Sequence, residues 1–255
     1  MKVSLITVTY NSSKYLAECI QSVIDQDYHS IEHIIVDGGS TDGTLDIIKQ
    51  YEGHIGQWVS EKDHGMYDAI NKGMRMATGD IIGTLNSDDT LFAKDTISEI
   101  VNSFTRYKVD SVFGDLVYVD QFESKRILRY WKGKPYWRVR FLFGWMPAHP
   151  TFYIRRELVS VLGQYETHYF TACDYEFMAR YLYRHRISAY YLPKLIVIMR
   201  KGGQSNGNIY RRLRANRRDY LAMKRNNIPL PLVVSVLKPI RKIPQYYSSL
   251  VQRFL

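Results

Sequence analysis

The chain is poor in cysteine: Cys19 and Cys173 are the two among 255 residues. They stand far apart and without metal-ligand spacing, which excludes a disulfide framework or a structural zinc site. They read as buried thiols in a reducing compartment. Long apolar runs are also missing, and none reaches the roughly 20 residues that span a bilayer. Met1-Lys2-Val3-Ser4 leads straight into a strand pattern, which predicts no signal peptide. No strand is followed by Gly-x-Gly-x-x-Gly or by the lysine of a P-loop, which argues against a dinucleotide or ATPase site. No internal repeat is visible. Acids nearly vanish toward the C-terminus. Residues 200–255 hold 13 Lys/Arg against Asp219, a net +12, so that of the total +10 residues 1–199 carry −2. A neutral body with a cationic tail points to an anionic partner: membrane phospholipid, nucleic acid or a phosphorylated substrate.

What is abundant is apolar and aromatic. A hydrophobic content of 45% supports a real core, and 21 tyrosines suit sugar-contacting or interface surfaces as well as packing. Four β-branched or apolar runs, Val3–Tyr10, Ile31–Val36, Ile55–Ser60 and Ile81–Leu85, read as strands. Between them lie helical patterns: Tyr15, Leu16, Cys19, Ile20 and Val23; then Leu45, Ile48 and Tyr51; then Met66 to Ala77. This order predicts an α/β fold with a mostly parallel sheet flanked by helices. Further on, the expectations are a helix over 95–107 and a strand Ser111–Asp115 with an antiparallel partner Leu116–Asp120. Residues 121–145, basic and aromatic, read as a surface segment. Thr151–Ile154 reads as a short strand, Arg156–Leu162 and 174–184 as helices, and Ala189–Leu192 and Leu195–Met199 as closing strands. Residues 206–255 read as a basic helical extension to a body of 1–205.

Ile81–Leu85 ends in Asn86-Ser87-Asp88-Asp89. Adjacent carboxylates repel unless a cation or hydrogen-bond donors neutralise them, and the C-terminal edge of such a sheet is where ligands bind. Three other stretches gather at candidate edges. Thr7-Val8-Thr9-Tyr10-Asn11 brings a hydroxyl, a flat ring and an amide. Asp37-Gly38-Gly39-Ser40-Thr41-Asp42-Gly43 combines an acid with glycines that admit a ligand to the backbone. Asp68 and Asn71, three apart on one helix, form a candidate pocket wall. Asp174 and Glu176 stand at the start of a later helix.

Thr9-Tyr10-Asn11, Asp37 to Thr44, Tyr67-Asp68-Ala69-Ile70-Asn71-Lys72-Gly73, Ala77-Thr78-Gly79-Asp80 and Asn86-Ser87-Asp88-Asp89 resemble, in order and spacing, the family 2 glycosyltransferases of GT-A fold. The resemblance covers about residues 3–205 and is nearest to bacterial enzymes of surface-polysaccharide synthesis. It implies a nucleotide-sugar donor, UDP by family default, held by Thr9, Tyr10, Asn11, Asp37, Ser40, Asp68, Asn71, Asn86 and Asp88. It implies a Mn²⁺ or Mg²⁺ ion on Asp89, with Asp88, bridging the diphosphate. It implies inversion at the anomeric carbon, with Asp174 as general base. Many members carry Glu-Asp where this chain has Cys173-Asp174, and Glu176 is the alternative. His149 resembles a family histidine and, with Glu176, Arg200 and Lys201, would contact acceptor or phosphate. Arg200-Lys201-Gly202-Gly203-Gln204-Ser205 resembles a loop that closes over the diphosphate.

The resemblance further implies a lipid-linked glycan acceptor. The cationic, amphipathic stretch 209–255 fits peripheral binding to the anionic inner face of the plasma membrane, or packing on the body, or self-association. The rival readings are a GT-A scaffold without activity and, further off, a nucleic-acid binder, which would leave the acidic motifs without a role.

Overall fold

The structure is a computed structural model that describes residues 1–121, 126–201 and 209–241. Strands β1 (Val3–Thr9), β2 (Ile31–Asp37), β3 (Gln57–Ser60) and β4 (Ile81–Asn86) run parallel in the order β3-β2-β1-β4. Helices α1 (Leu16–Ile24), α2 (Thr44–Gln50) and α3 (Met66–Met76) make the crossovers. Every residue of β1 is buried. Its alternation splits the core: Val3 and Leu5 pack with Val23, Ile97 and Phe104, while Ile6 and Val8 pack with Ile34, Ile70 and Met74. Helix α1 buries Leu16, Cys19, Ile20 and Val23, the spacing that made it legible. In α3, Gly73 lets the helix close on β1; a Cβ there would stand 2.4 Å from Ile6 Cγ2. Both cysteines are buried and free.

The sheet continues β4-β8-β6-β9-β5, with β5 Thr90–Leu91, β6 Ser111–Val119, β8 Tyr153–Arg155 and β9 Ala189–Arg200. Strand β8 is antiparallel to both β4 and β6, β9 is parallel to β6, and β5 is antiparallel to β9. Helices α4 (Thr96–Tyr107) and α5 (Glu157–Leu162) flank it.

Four expectations change here. Residues 111–119 form one strand through Gly114, and its antiparallel partner is β7 (Ile127–Trp131), not Leu116–Asp120. The strand does not break after Asp115; Gly114 within it admits Ile196 and the Lys194 carbonyl from β9, which a Cβ would meet at 2.4–2.8 Å. The segment 121–145 is therefore not all surface: it supplies β7 and buries Phe141 and Trp145 against Phe113 and Tyr175. The two closing strands are one, β9, whose Pro193-Lys194 stretch shifts the register against β6 instead of ending the strand. The helix expected over 174–184 is α6 (Cys173–Met178), continuing in π-helical turns Ala179–Arg184.

At the C-terminal end, α7 (Ile209–Arg225) packs on α6 and on the 3-10 turns Thr167–Ala172. It buries Ala222 and Met223 in the same aromatic core. Helix α8 (Pro231–Ile240) follows. Among the described residues no helix is long and apolar enough to cross a membrane. Gly202-Gly203-Gln204-Ser205 and residues 242–255 lie outside the described residues.

Candidate active site

The C-terminal edge of the parallel strands carries three polar groups. At the end of β1, Thr9 Oγ1 is buried with no hydrogen-bond partner among the described residues. Such an atom costs about 1–3 kcal/mol unless a ligand satisfies it. Next to it the Tyr10 ring is 64% exposed and stands against Gly38, whose missing side chain leaves the ring face open. Asn11 ties this edge to the β2 loop: its N–H donates to Ser40 Oγ at 2.8 Å and its Oδ1 accepts the Thr41 N–H at 2.9 Å.

Asp37 ends β2 fully buried. Its carboxylate accepts the Gly39 and Ser40 N–H groups at 3.1 and 2.9 Å, the Ser40 hydroxyl, and the Ser60 hydroxyl at 2.6 Å. It therefore shapes the loop on which Tyr10 and Gly38 sit. Gly39, at φ +82°, takes the left-handed conformation this turn needs.

Strand β4 delivers the carboxylate pair. Asp89 is fully buried; its carboxylate accepts Asn86 Nδ2–H at 2.7 Å and the Arg200 backbone N–H at 3.2 Å. Burial, then the Asp88 charge, pushes the Asp89 carboxyl well above its usual range. Asp88 is half-buried and raised by burial. Two hard oxygen donors short of positive charge suit Mn²⁺ or Mg²⁺, which take carboxylates together with diphosphate and water oxygens. Among the described residues no cluster of three His, Cys, Asp or Glu adds to the pair. The Arg200 guanidinium pairs with Glu18 and lies over the Tyr15 ring at 4.7 Å, while its charge also bears on Asp88. Lys201 is exposed; its N–H donates to the Val119 carbonyl at 2.9 Å.

The second cluster surrounds Asp174 at the start of α6. Tyr67 of α3 is partly buried there, and its hydroxyl is pushed well up by burial and then by the Asp174 charge. His149 is buried, with Nε2 at 2.7 Å from the Tyr165 hydroxyl. Burial pushes its imidazole down and the Asp174 charge pulls it partly back up, so His149 is neutral near pH 7. The rings of Tyr67, His149 and Tyr165 lie 5.3–6.3 Å apart in pairs. Tyr67 and Tyr165 had not been singled out. Tyr67 stood in a quoted motif beside Asp68; Tyr165 carried no sequence signal.

Not every expected residue faces these clusters. Asp68 accepts the His64 N–H at 3.0 Å at the head of α3. The Asn71 amide is spent on the Tyr165 backbone. Glu176 is fully buried, bonded to Arg180 at 3.0 and 3.1 Å and to Asn226 Nδ2 at 3.3 Å, two residues from Asp174 but turned into the core. Beyond α6, His168, Arg218, Lys224 and Arg225 line a basic groove of about 560 Å³.

The model of the family described as "Glycosyl transferase family 2" matches residues 4–163. The chain belongs to that family. A PGL/p-HBAD biosynthesis glycosyltransferase of Mycobacterium bovis is 30% identical over 207 residues, covering 80% of this chain and 78% of that protein. An uncharacterised glycosyltransferase of Mycobacterium tuberculosis is 31% identical over 185 residues, 70% of this chain and 68% of its own. Among solved structures, S. aureus TarS 1–349 in complex with UDP-GlcNAc superposes with a TM-score of 0.67 at 21% identity, over 88% of this chain and 66% of that one. A mannosyltransferase of Pyrobaculum calidifontis in complex with GDP-Man and Mn²⁺ gives 0.66 at 20% identity, over 98% and 74%. These likenesses make the architecture a GT-A fold, and the family 2 membership makes the chain a glycosyltransferase.

Proposed function

We propose that this glycosyltransferase moves a sugar, with inversion, from a UDP-sugar to a hydroxyl of a lipid-linked glycan in surface-polysaccharide synthesis. The observation that carries the reading is the pairing of two carboxylate sites of opposite character. Asp88 and Asp89 are crowded and short of positive charge. Asp174 sits alone among neutral aromatic groups. The first suits a metal and a diphosphate, the second a base.

In this reading Thr9 supplies its unpartnered hydroxyl and Tyr10 its open face to the nucleoside, on the loop shaped by Asp37, Asn11 and Ser40. Asp89 and Asp88 would hold a divalent ion, which when bound would supply neutralising charge to the leaving diphosphate. Asp174 accepts the proton of the acceptor hydroxyl as that oxygen bonds the anomeric carbon. The carbon–oxygen bond to the diphosphate breaks, and its electron pair leaves with the nucleoside diphosphate. His149, neutral and oriented by Tyr165, fixes the surroundings of Asp174. The basic groove under Arg218 and Arg225 supports an acceptor that carries phosphate. The neighbour with UDP-GlcNAc supports a UDP donor and the one with GDP-Man and Mn²⁺ supports the metal. A cytoplasmic enzyme held at the inner membrane face fits such an acceptor and the cationic stretch from 209 onward.

A panel of nucleotide sugars with Mn²⁺ or Mg²⁺, assayed for released nucleoside diphosphate, tests this. Release from UDP-sugars that vanishes with EDTA supports the reading. No release from any donor, with membrane extract as acceptor, overturns it.

A further inference from the structure

Helix α8 is built inside out. Its solvent side carries Leu232, Val233, Val236 and Ile240, which are 52–68% exposed. They fall at i, i+1, i+4 and i+8, a single stripe. Its protein side carries, beside Val234, the polar Ser235 and Lys238, both buried. Lys238 is held by Asp219 at 2.6 Å and lies over the Tyr175 ring at 4.1 Å. A helix on a water-facing surface normally shows the reverse arrangement.

A second element adds to the apolar surface. The turns Arg138–Phe143 pack against α8, where Gly144, at φ +68°, leaves room for the Lys238 backbone; a Cβ would stand 2.6 Å from its Cα. Trp137, Val139 and Phe143 from this element are each at least half exposed.

Apart from Asp219, which is spent on Lys238, the charge around both elements has one sign. Residues 126–145 hold six Lys/Arg and no acid, and residues 220–255 again hold six and none. Arg140 Nε is buried without a partner among the described residues. Arg140 is also near enough to Arg241 to lower it, after burial, from its usual value. Arg140 and Arg241 thus add like charges to the same face.

We propose that α8 and residues 137–143 form one face that seats in the headgroup layer of an anionic bilayer. The apolar stripe lies at the acyl boundary, and Arg138, Arg140 and Arg241 meet lipid phosphates. A second copy of the chain would set this cationic rim against itself. Residues 242–255, with Lys242, Arg253 and no acid, would likewise add cations to cations. An anionic lipid surface complements both the stripe and the rim.

The inference deepens the reading of a membrane-held acceptor, so its test contains no acceptor. The full chain is sedimented with vesicles of phosphatidylcholine alone or with added phosphatidylglycerol. Binding should require phosphatidylglycerol, weaken with salt, and fall by at least about tenfold in Leu232→Ser/Val236→Ser and in Trp137→Ser/Phe143→Ser. UDP binding should survive in both variants, since none of these side chains is in the core. Absence of vesicle binding by the parent chain overturns the proposal. So does binding of the variants as tight as the parent's, or a parent dimer that Leu232→Ser/Val236→Ser splits. Donor hydrolysis by the same preparations reports on the transferase reading separately.

Discussion

Asn71 holds Tyr165 by both ends of one amide: Nδ2–H donates to the Tyr165 carbonyl at 2.9 Å and Oδ1 accepts the Tyr165 N–H at 2.9 Å. The two residues are 94 positions apart. This clamp joins α3, which carries Tyr67, to the segment whose Tyr165 hydroxyl meets His149. Asn71→Ala leaves two buried backbone groups unpaired. The expected loss is about 1–3 kcal/mol of stability, read by urea denaturation, with a fall in kcat larger than any change in donor KM.

Asp174 and Glu176 should separate cleanly. Asp174→Asn is expected to lower transfer by at least about 10²-fold while nucleoside-diphosphate binding, read by calorimetry, stays as in the parent. Glu176→Ala strands the Arg180 charge in the core and should cost roughly 3–5 kcal/mol, read as a lower melting temperature. An Asp174→Asn enzyme with near-normal turnover would remove Asp174 from the base role.

Burial, and then the Asp88 charge, disfavour the ionised form of Asp89 in the metal-free protein. Asp89→Asn removes that cost. The expected result is a metal-free melting temperature raised by a few degrees, on the order of 1 kcal/mol. The extra stabilisation by UDP with Mn²⁺ should disappear. Thermal shift with and without EDTA reads both.

Glu32 predicts an acid limit to stability. It is nearly buried and accepts from Lys2 Nζ at 2.8 Å, Ser4 Oγ at 2.5 Å, and the Thr78 N–H and hydroxyl at 2.9 and 2.7 Å. Burial pushes its pKa up, and these donors outweigh burial and bring it down to about 2. Because the folded value lies below the unfolded one, near 4.3, the unfolded chain binds the proton first. The contribution is complete above about pH 5 and is lost as pH falls toward 2, roughly 1–3 kcal/mol in all. Glu32→Gln should be less stable at pH 7 and flatter between pH 5 and 2, measured by urea titration at each pH.

The first half of the fold was legible because each strand there is a short β-branched run and each helix shows one apolar face, as Val3–Thr9 and Leu16–Ile24 do. The places of Asp88 and Asp89 just after β4 and of Asp174 at the start of α6 were legible because carboxylates at strand and helix ends are local signals. What stayed hidden depends on distant partners. The strand expected to end at Asp115 runs on to Val119 because β9 and β7 lie against it. Phe141 and Trp145 sit in a run of cations and are buried because α6 and the π-helical turns after it offer a cavity for rings. Tyr165 gains its place from Asn71 and His149, neither near it in sequence. The exposed stripe of α8 defeats periodicity outright, since the pattern gives a helix with one apolar face but not which way that face turns.

The Arg200 N–H that meets the Asp89 carboxylate lies 111 residues further along the chain. Thr90 and Leu91, the residues after the carboxylate pair, find their strand partners in Val197 and Ile198. During vectorial synthesis the motif leaves the ribosome early, yet its walls arrive only when residue 200 emerges. A nascent chain therefore carries Asp88 and Asp89 in an incomplete sheet until 111 further residues have been added, and this edge closes late.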